Sequence, residues 1–179
     1  MCSSSNFTSQ LDIAPTRPEE VDAIRAIIRG VGAFDDEEVM IGDELVREYL
    51  SRGALASGYT FLSCRSDGRV LGFACYGPRA LTHGNTFDLY WIAVDKSAQG
   101  RGAGGALLQR VAQAVQAMGG RLIIAETSGR ADYLPTRRFY ETHGYERAAT
   151  IPDFYAPGDD LVVYVQRLPA GSMPGEHLV

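Results

Sequence analysis

The sequence predicts an α/β fold of the α+β type: a mixed, mostly antiparallel central sheet of six to seven strands with helices on both faces. Three features of the 179-residue chain point to it. Two stretches with helical periodicity come first. A meander of strand-like runs comes next, with a hairpin signal at its first turn. A single strand–loop–helix–strand passage then supplies one parallel crossover, after which the pattern reads helix, strand, strand.

Taken in order, residues 8–14 read as a short first strand. Pro18-Glu19-Glu20 opens a helix, with proline at its start and acids in its first turn. Val21, Ile24, Ile27, Ile28 and Val31 recur at helical spacing, and Gly30 and Gly32 end the run. A second helix is expected over residues 37–52, with Val39, Leu45, Val46, Tyr49 and Leu50 inward and Gly53 as its stop. Residues 58–65 and 69–76 flank Ser66-Asp67-Gly68, a hairpin signal. Thr86–Val94 (TFDLYWIAV), aromatic and β-branched, reads as a buried central strand. After a glycine-rich loop, residues 104–118 carry Leu107, Leu108, Val111 and Val115 on one side of a helix capped by Gly119-Gly120. Residues 121–126 are a further buried strand, residues 134–143 a helix ending at Gly144, and residues 145–151 and 161–168 the last two strands around a loop at 152–160.

Composition bounds the function. Hydrophobic residues make up 45% and charged residues 22%, an ordinary globular balance. The formal charge of −5 and pI near 5.2 argue against a broad nucleic-acid-binding face. Basic charge is almost all arginine, with Lys96 the one lysine, which suits bidentate contact with phosphate or carboxylate. Cys2, Cys64 and Cys75 are odd in number and irregular in spacing, so they read as reduced thiols of a cytoplasmic protein. No apolar run reaches the roughly 18–20 residues that span a bilayer. Residues 1–7 read as a flexible leader and 169–179 as a flexible tail. His83, His143 and His177 lack metal-ligand spacing, and His143 reads as a helix C-terminal residue favouring the dipole.

The sharpest signal is the passage from Val94 to Gly105, VDKSAQGRGAGG, between a hydrophobic strand and an amphipathic helix. A helix start offers unpaired N–H groups and the positive end of the dipole. Glycines let phosphate oxygens approach those groups, and Arg101 adds charge. The loop at 99–105 is therefore expected to hold an anion, most plainly a pyrophosphate. Gly100-x-Gly102-x-x-Gly105 also matches the dinucleotide fingerprint, with Glu126 where a ribose-binding acid would stand. A doubly wound domain, however, needs further βαβ units, whereas the residues after Glu126 read α-β-β.

The stretch DLYWIAVDKSAQGRGAGGALL resembles the central motif of the GNAT superfamily of N-acetyltransferases, whose loop reads Q/R-x-x-G-x-G/A, here Gln99-x-x-Gly102-x-Gly104. Downstream, Glu126-Thr-Ser and TRRFYETHGY with Tyr140 and Gly144 resemble its closing motif. The resemblance implies one acyl-CoA N-acyltransferase domain over residues 8–168. That domain would use acetyl-CoA as the acyl donor, no metal, and a small-molecule primary amine as acceptor by direct attack. A peptide or protein amine, or acyl-CoA sensing without turnover, are the alternatives. Neither nucleic acid nor membrane is expected as a partner; many relatives form homodimers, and the sequence leaves the assembly state open.

For this chain the resemblance places backbone groups of Ile92, Ala93 and Val94 along the pantetheine arm. It places N–H groups from Gln99, Gly100, Arg101, Gly102, Ala103, Gly104 and Gly105 on the pyrophosphate. Tyr140 matches the tyrosine that protonates the departing sulfur, or else only packs. Glu126 matches a glutamate base, or is a solvated strand-end acid. Phe34, Asp35 and Tyr90 are expected to line the acceptor end. The acids after Phe34 also suit a helix N-terminus. Asp88 either faces the acceptor or, since a buried carboxylate needs a partner, holds a nearby arginine. Tyr155 loosely matches a tyrosine lining the acceptor site, although Pro-Asp and Pro-Gly-Asp around it are also turn chemistry. An asparagine that many relatives carry before the tyrosine helix is absent; Tyr133-Leu134-Pro135-Thr136 stands there.

Overall fold

The computed structural model describes residues 11–32, 36–82 and 85–169. Its centre is one seven-stranded sheet in the order β1-β2-β3-β4-β5-β7-β6. The strands are β1 (Asp12–Pro15), β2 (Thr60–Ser66), β3 (Arg69–Pro78), β4 (Thr86–Val94), β5 (Leu122–Ser128), β6 (Glu146–Ala156) and β7 (Asp159–Arg167). Only β4 and β5 pair in parallel. The helices are α1 (Val21–Val31), α2 (Asp36–Ser57), α3 (Ala103–Ala117) and α4 (Leu134–Thr142).

The central strands are apolar on both faces, so each residue step along them serves a different core. Phe61, Phe73, Cys75 and Ala93 pack with Ile24, Ile27, Ile28 and Val46 of α1 and α2. Their neighbours Leu62, Cys64, Ala74, Phe87 and Leu89 pack with Leu107, Leu108, Val111 and Val115 of α3 on the other face. The β2–β3 hairpin turns at Asp67 and Gly68, both with positive φ, as the type I′ turn requires. Cys64 pairs with Gly72 and Cys75 with Phe61, and both thiols are free and buried.

Two elements differ from the sequence expectation. The helical run over residues 37–52 does stop at Gly53, whose φ of 74° and ψ of 166° break the helix, but a further helical turn, not expected, follows and continues to Ser57. The segment 152–160 is not a loop. β6 runs to Ala156 and reverses through Pro157-Gly158 directly into β7. Pro152 is tolerated because β6 is an edge strand and the ladder shifts register between Ile151 and Ala156. There Asp153 takes a left-handed φ of 52°, and side chains replace ladder partners: Asp160 accepts from the Asp153 N–H at 3.1 Å, and Asp153 from the Gly158 N–H at 2.6 Å. The expected first strand is confined to Asp12–Pro15 among the described residues; the leader at 1–7 and the tail from 170 onward lie outside them.

Candidate active site

The parallel pairing of β4 with β5 begins at Thr86–Leu122 and stops at Leu89–Ala125. Beyond that point β4 stays with β3 and β5 with β7. A bulge opposite Cys75 and Tyr76 leaves Tyr90 as the extra residue and turns β4 away from β5. The strands separate into a cleft of about 1340 Å³. The Asp95 N–H donates to Leu71 O at 2.8 Å. Strand alternation therefore turns the backbone groups of Ala93 toward β3 and those of Ile92 and Val94 toward the cleft. In the cleft, Val94 O accepts from Gln99 Nε2 at 3.3 Å.

The loop is built locally. Asp95 Oδ1 accepts from the Ser97 N–H at 2.8 Å and from the Ser97 hydroxyl at 2.5 Å, capping a 3₁₀ turn over Lys96–Ala98. The Ser97 hydroxyl and N–H, with help from Arg69, hold the Asp95 carboxyl below its ordinary value. Gly100 and Gly102 take left-handed φ values of 73° and 84°, which lift the chain over the start of α3. The first bond into that helix runs from the Ala106 N–H to Gly102 O. The N–H groups of Ala103, Gly104 and Gly105 thus have no intrahelical acceptor. A Cβ on Gly104 would stand 3.0 Å from the Phe139 ring, and one on Gly105 2.5 Å from His143 Nε2. These two glycines let α4 lie directly against the first turn of α3.

At the other end the cleft is charged. Arg79 Nη1 donates to Asp88 Oδ1 at 2.7 Å and lies 3.4 Å from Glu126 Oε1. Burial pushes the Asp88 carboxyl up, Glu126 adds to the rise, and Arg79 offsets only part of it. Ser128 donates to Asp159 Oδ1 at 2.5 Å. Arg130 pairs with Asp132 at 2.5 Å, reaches Asp159 at 3.9 Å and lies 5.5 Å over the Tyr133 ring. Burial raises the Tyr90 hydroxyl to about 12, with Asp88 adding to it. The Tyr155 hydroxyl is raised by burial and then by Glu126 and Asp159. Tyr140 lines the cleft from α4 but is only 5% exposed, between the rings of Tyr145, Tyr164 and Phe139. Burial alone pushes its hydroxyl far above the ordinary phenol value.

A single cleft is therefore lined by Asp88, Tyr90, Ile92, Ala93, Val94, Gln99, Gly100, Gly102, Ala103, Gly104, Gly105, Glu126, Tyr140 and Tyr155. Arg101 is exposed and does not line it. Phe34 and Asp35 lie outside the described residues. Glu126 is not the strand end that the sequence suggests. β5 runs on to Ser128 because β7 continues to pair with it, and Glu126 is the first β5 residue past the β4 ladder. Asp88 does hold an arginine, and Arg79 is the partner that periodicity could not locate. Glu38, Arg130 and Tyr133 also line the cleft, and their only signal in the sequence is polarity at element ends. No group of three potential metal ligands occurs among the described residues, and no described helix is long and apolar enough to cross a membrane.

A strand splayed from its parallel neighbour, with the backbone groups of Ile92 and Val94 turned into the gap and a glycine loop with unpaired helix-start amides at its end, is the architecture of an acyltransferase that takes a pantetheine-linked donor. The model of the acetyltransferase (GNAT) family matches residues 31–145. The chain belongs to this family and is an acetyl-CoA-dependent N-acetyltransferase. A Desulfovibrio desulfuricans protein assigned to the same family is 41% identical, with a TM-score of 0.86 over 89% of this chain and 100% of that one. The tRNA-acetylating toxin of Mycobacterium tuberculosis (strain H37Rv) is 28% identical over 162 residues, 78% of this chain and 87% of that one. A Salmonella typhimurium protein solved with its cofactor acetyl-CoA shares the fold at 22% identity and a TM-score of 0.72, over 93% and 98% of the two chains.

Proposed function

We propose that the protein transfers the acetyl group of acetyl-CoA to the primary amine of a small cationic molecule, by direct attack in a ternary complex. The observation that carries this is the end of the β4–β5 ladder at Leu89–Ala125. It opens the donor gap and leaves Glu126 at its mouth, on the same cleft as Tyr140. The backbone groups of Ile92 and Val94 hold the pantetheine amides, with Ala93 between them. The N–H groups of residues 99–105 hold the pyrophosphate, where no side chain at Gly100 or Gly102 obstructs its approach.

Four acids, Glu38, Asp88, Glu126 and Asp159, and two arginines, Arg79 and Arg130, line the acceptor end. Tyr90, Tyr133 and Tyr155 add ring faces. This balance draws a cation. Glu126 takes one proton from the ammonium, and the freed amine attacks the thioester carbon. The C–N bond forms and the C–S bond breaks. Tyr140 gives its proton to the departing sulfur and recovers one from the nitrogen, so two protons leave the nitrogen, one to sulfur and one to solvent through Glu126. A phenol held neutral by burial suits that acid role. The formal charge of −5 weighs against tRNA as acceptor despite the toxin's similarity. The place of Tyr155 on the cleft wall favours one second reading, a peptide amino terminus. We assign the reaction to the cytoplasm because the two described cysteines are free thiols.

The test is titration calorimetry with acetyl-CoA, and NAD as control, then free-thiol release across diamines, polyamines, amino sugars and short peptides. Micromolar acetyl-CoA binding with release driven by a diamine or polyamine is expected. Release by peptides alone would replace the small-molecule acceptor. Failure to bind acetyl-CoA would overturn the placement of the donor.

A further inference from the structure

His143 caps α4 beside the glycine loop, and the donor placement proposed above gives it no task. Its ring is fixed by three contacts. Nδ1 lies 2.7 Å from Phe139 O, and a carbonyl only accepts, so Nδ1 carries the proton. The Thr142 hydroxyl stands 3.3 Å from the same nitrogen. The Phe139 ring lies 4.5 Å away, centroid to centroid. With Nδ1 committed, Nε2 is the free nitrogen. It points at the first turn of α3, where a Cβ on Gly105 would stand 2.5 Å from it. His143 also lines the cleft alongside Gly102, Gly104 and Gly105.

From this geometry we infer that His143 is a further donor-binding residue: its Nε2 contacts a phosphate oxygen of acetyl-CoA over the first turn of α3. The inference rests on the donor placement proposed above. The groups that contact the ring, from Phe139, Thr142 and Gly105, are uncharged, as is Gln166 of β7, which donates to the His143 carbonyl. The neutral ring offers Nε2 as an acceptor, and the imidazolium offers it as a donor. As an imidazolium the ring donates from Nε2 to a phosphate oxygen, and its charge also suits the C-terminal end of α4. The absence of a side chain at Gly105 is what gives Nε2 access to the anion that the loop amides hold.

The test compares acetyl-CoA with S-acetylpantetheine, which lacks the phosphates, as donors for the wild type, His143→Phe and His143→Gln. Phenylalanine keeps a ring against Phe139 but has no nitrogen, whereas glutamine restores a terminal donor. His143→Phe is expected to raise KM for acetyl-CoA about tenfold with kcat held, the scale of one charge-assisted hydrogen bond. His143→Gln should recover part of that loss, and KM for S-acetylpantetheine should move less than about twofold. Equal losses with both donors would mean that His143 only supports α4 and Tyr140, and would overturn the inference. A wild type that uses both donors with equal KM would instead overturn the phosphate placement on the loop, independently of His143.

Discussion

Arg79 reaches Asp88 from one nitrogen at 2.7 Å, and that same nitrogen stands 3.4 Å from Glu126. A single guanidinium thus ties the carboxylate on the central strand to the acid at the mouth of the cleft. Asp88 takes the tighter bond and is 17% exposed, whereas Glu126, with 42% of its side chain exposed, is the more accessible of the two to an incoming amine.

Arg79→Met is expected to lower kcat/KM about tenfold, through loss of the aim of Glu126, while acetyl-CoA affinity stays within twofold. It also removes the group that offsets the rise of the Asp88 carboxyl. At low pH, with Asp88 protonated in both the folded and unfolded chain, the substitution costs little stability. The penalty begins as pH rises through the raised Asp88 value of the wild type and levels off only above the still higher value that Asp88 takes once Arg79 is gone. Arg79 is partly exposed, so a loss of about 1 kcal/mol is expected at neutral pH, or about 2–4 °C in Tm. Thermal melts at pH 3 and pH 8 check the sign.

Tyr140→Phe should lower kcat about 100-fold with acetyl-CoA binding retained, the ordinary scale of a lost general acid. Because burial raises the hydroxyl, Tyr140 stays protonated through the working range and should contribute no alkaline limb to the rate profile below about pH 10. Calorimetry and a pH–rate profile of the wild type and variant measure both. An unchanged rate would leave Tyr140 as a packing residue between Tyr145 and Tyr164.

Gly102→Ala places a side chain at φ 84°, with open space around the new methyl group. The loss is therefore backbone strain, about 1–2 kcal/mol, at the residue that starts α3. Acetyl-CoA affinity should fall about tenfold by calorimetry, with the fold retained by circular dichroism.

Far from the cleft, Arg65 grips Glu20 through Nε and, at 2.7 Å, through Nη2, and both side chains are 8% exposed. Burial alone would raise the Glu20 carboxyl, but bonds from Arg65 and the Arg17 N–H outweigh it and hold it below its ordinary value. The stability this contributes is full above the ordinary glutamate value and is lost as pH falls through the lowered one. Arg65→Met should cost about 3 kcal/mol at pH 7, since it strands a buried charge, and less at pH 3. Denaturant titrations at the two pH values are the measurement.

The sequence alone determined the element order, the turn at Asp67-Gly68 and the glycine-rich helix start at 99–105. Each of these is local: apolar periodicity, a positive φ that glycine accepts, and unpaired amides at a helix start lie within a few residues of one another. Periodicity could not carry the rest. That β6 continues through Pro152 depends on its place at the sheet edge, where no ladder donor is missed. That Glu126 stands at the mouth of the cleft depends on where β4 leaves β5, which a bulge at Tyr90 and the partners β3 and β7 decide. Arg79 finds Asp88 and Glu126, and His143 finds Gly105, across 9, 47 and 38 positions of sequence. Such contacts are made by strands and helices brought side by side, and only the packing of both cores on one twisted sheet fixes which of them meet.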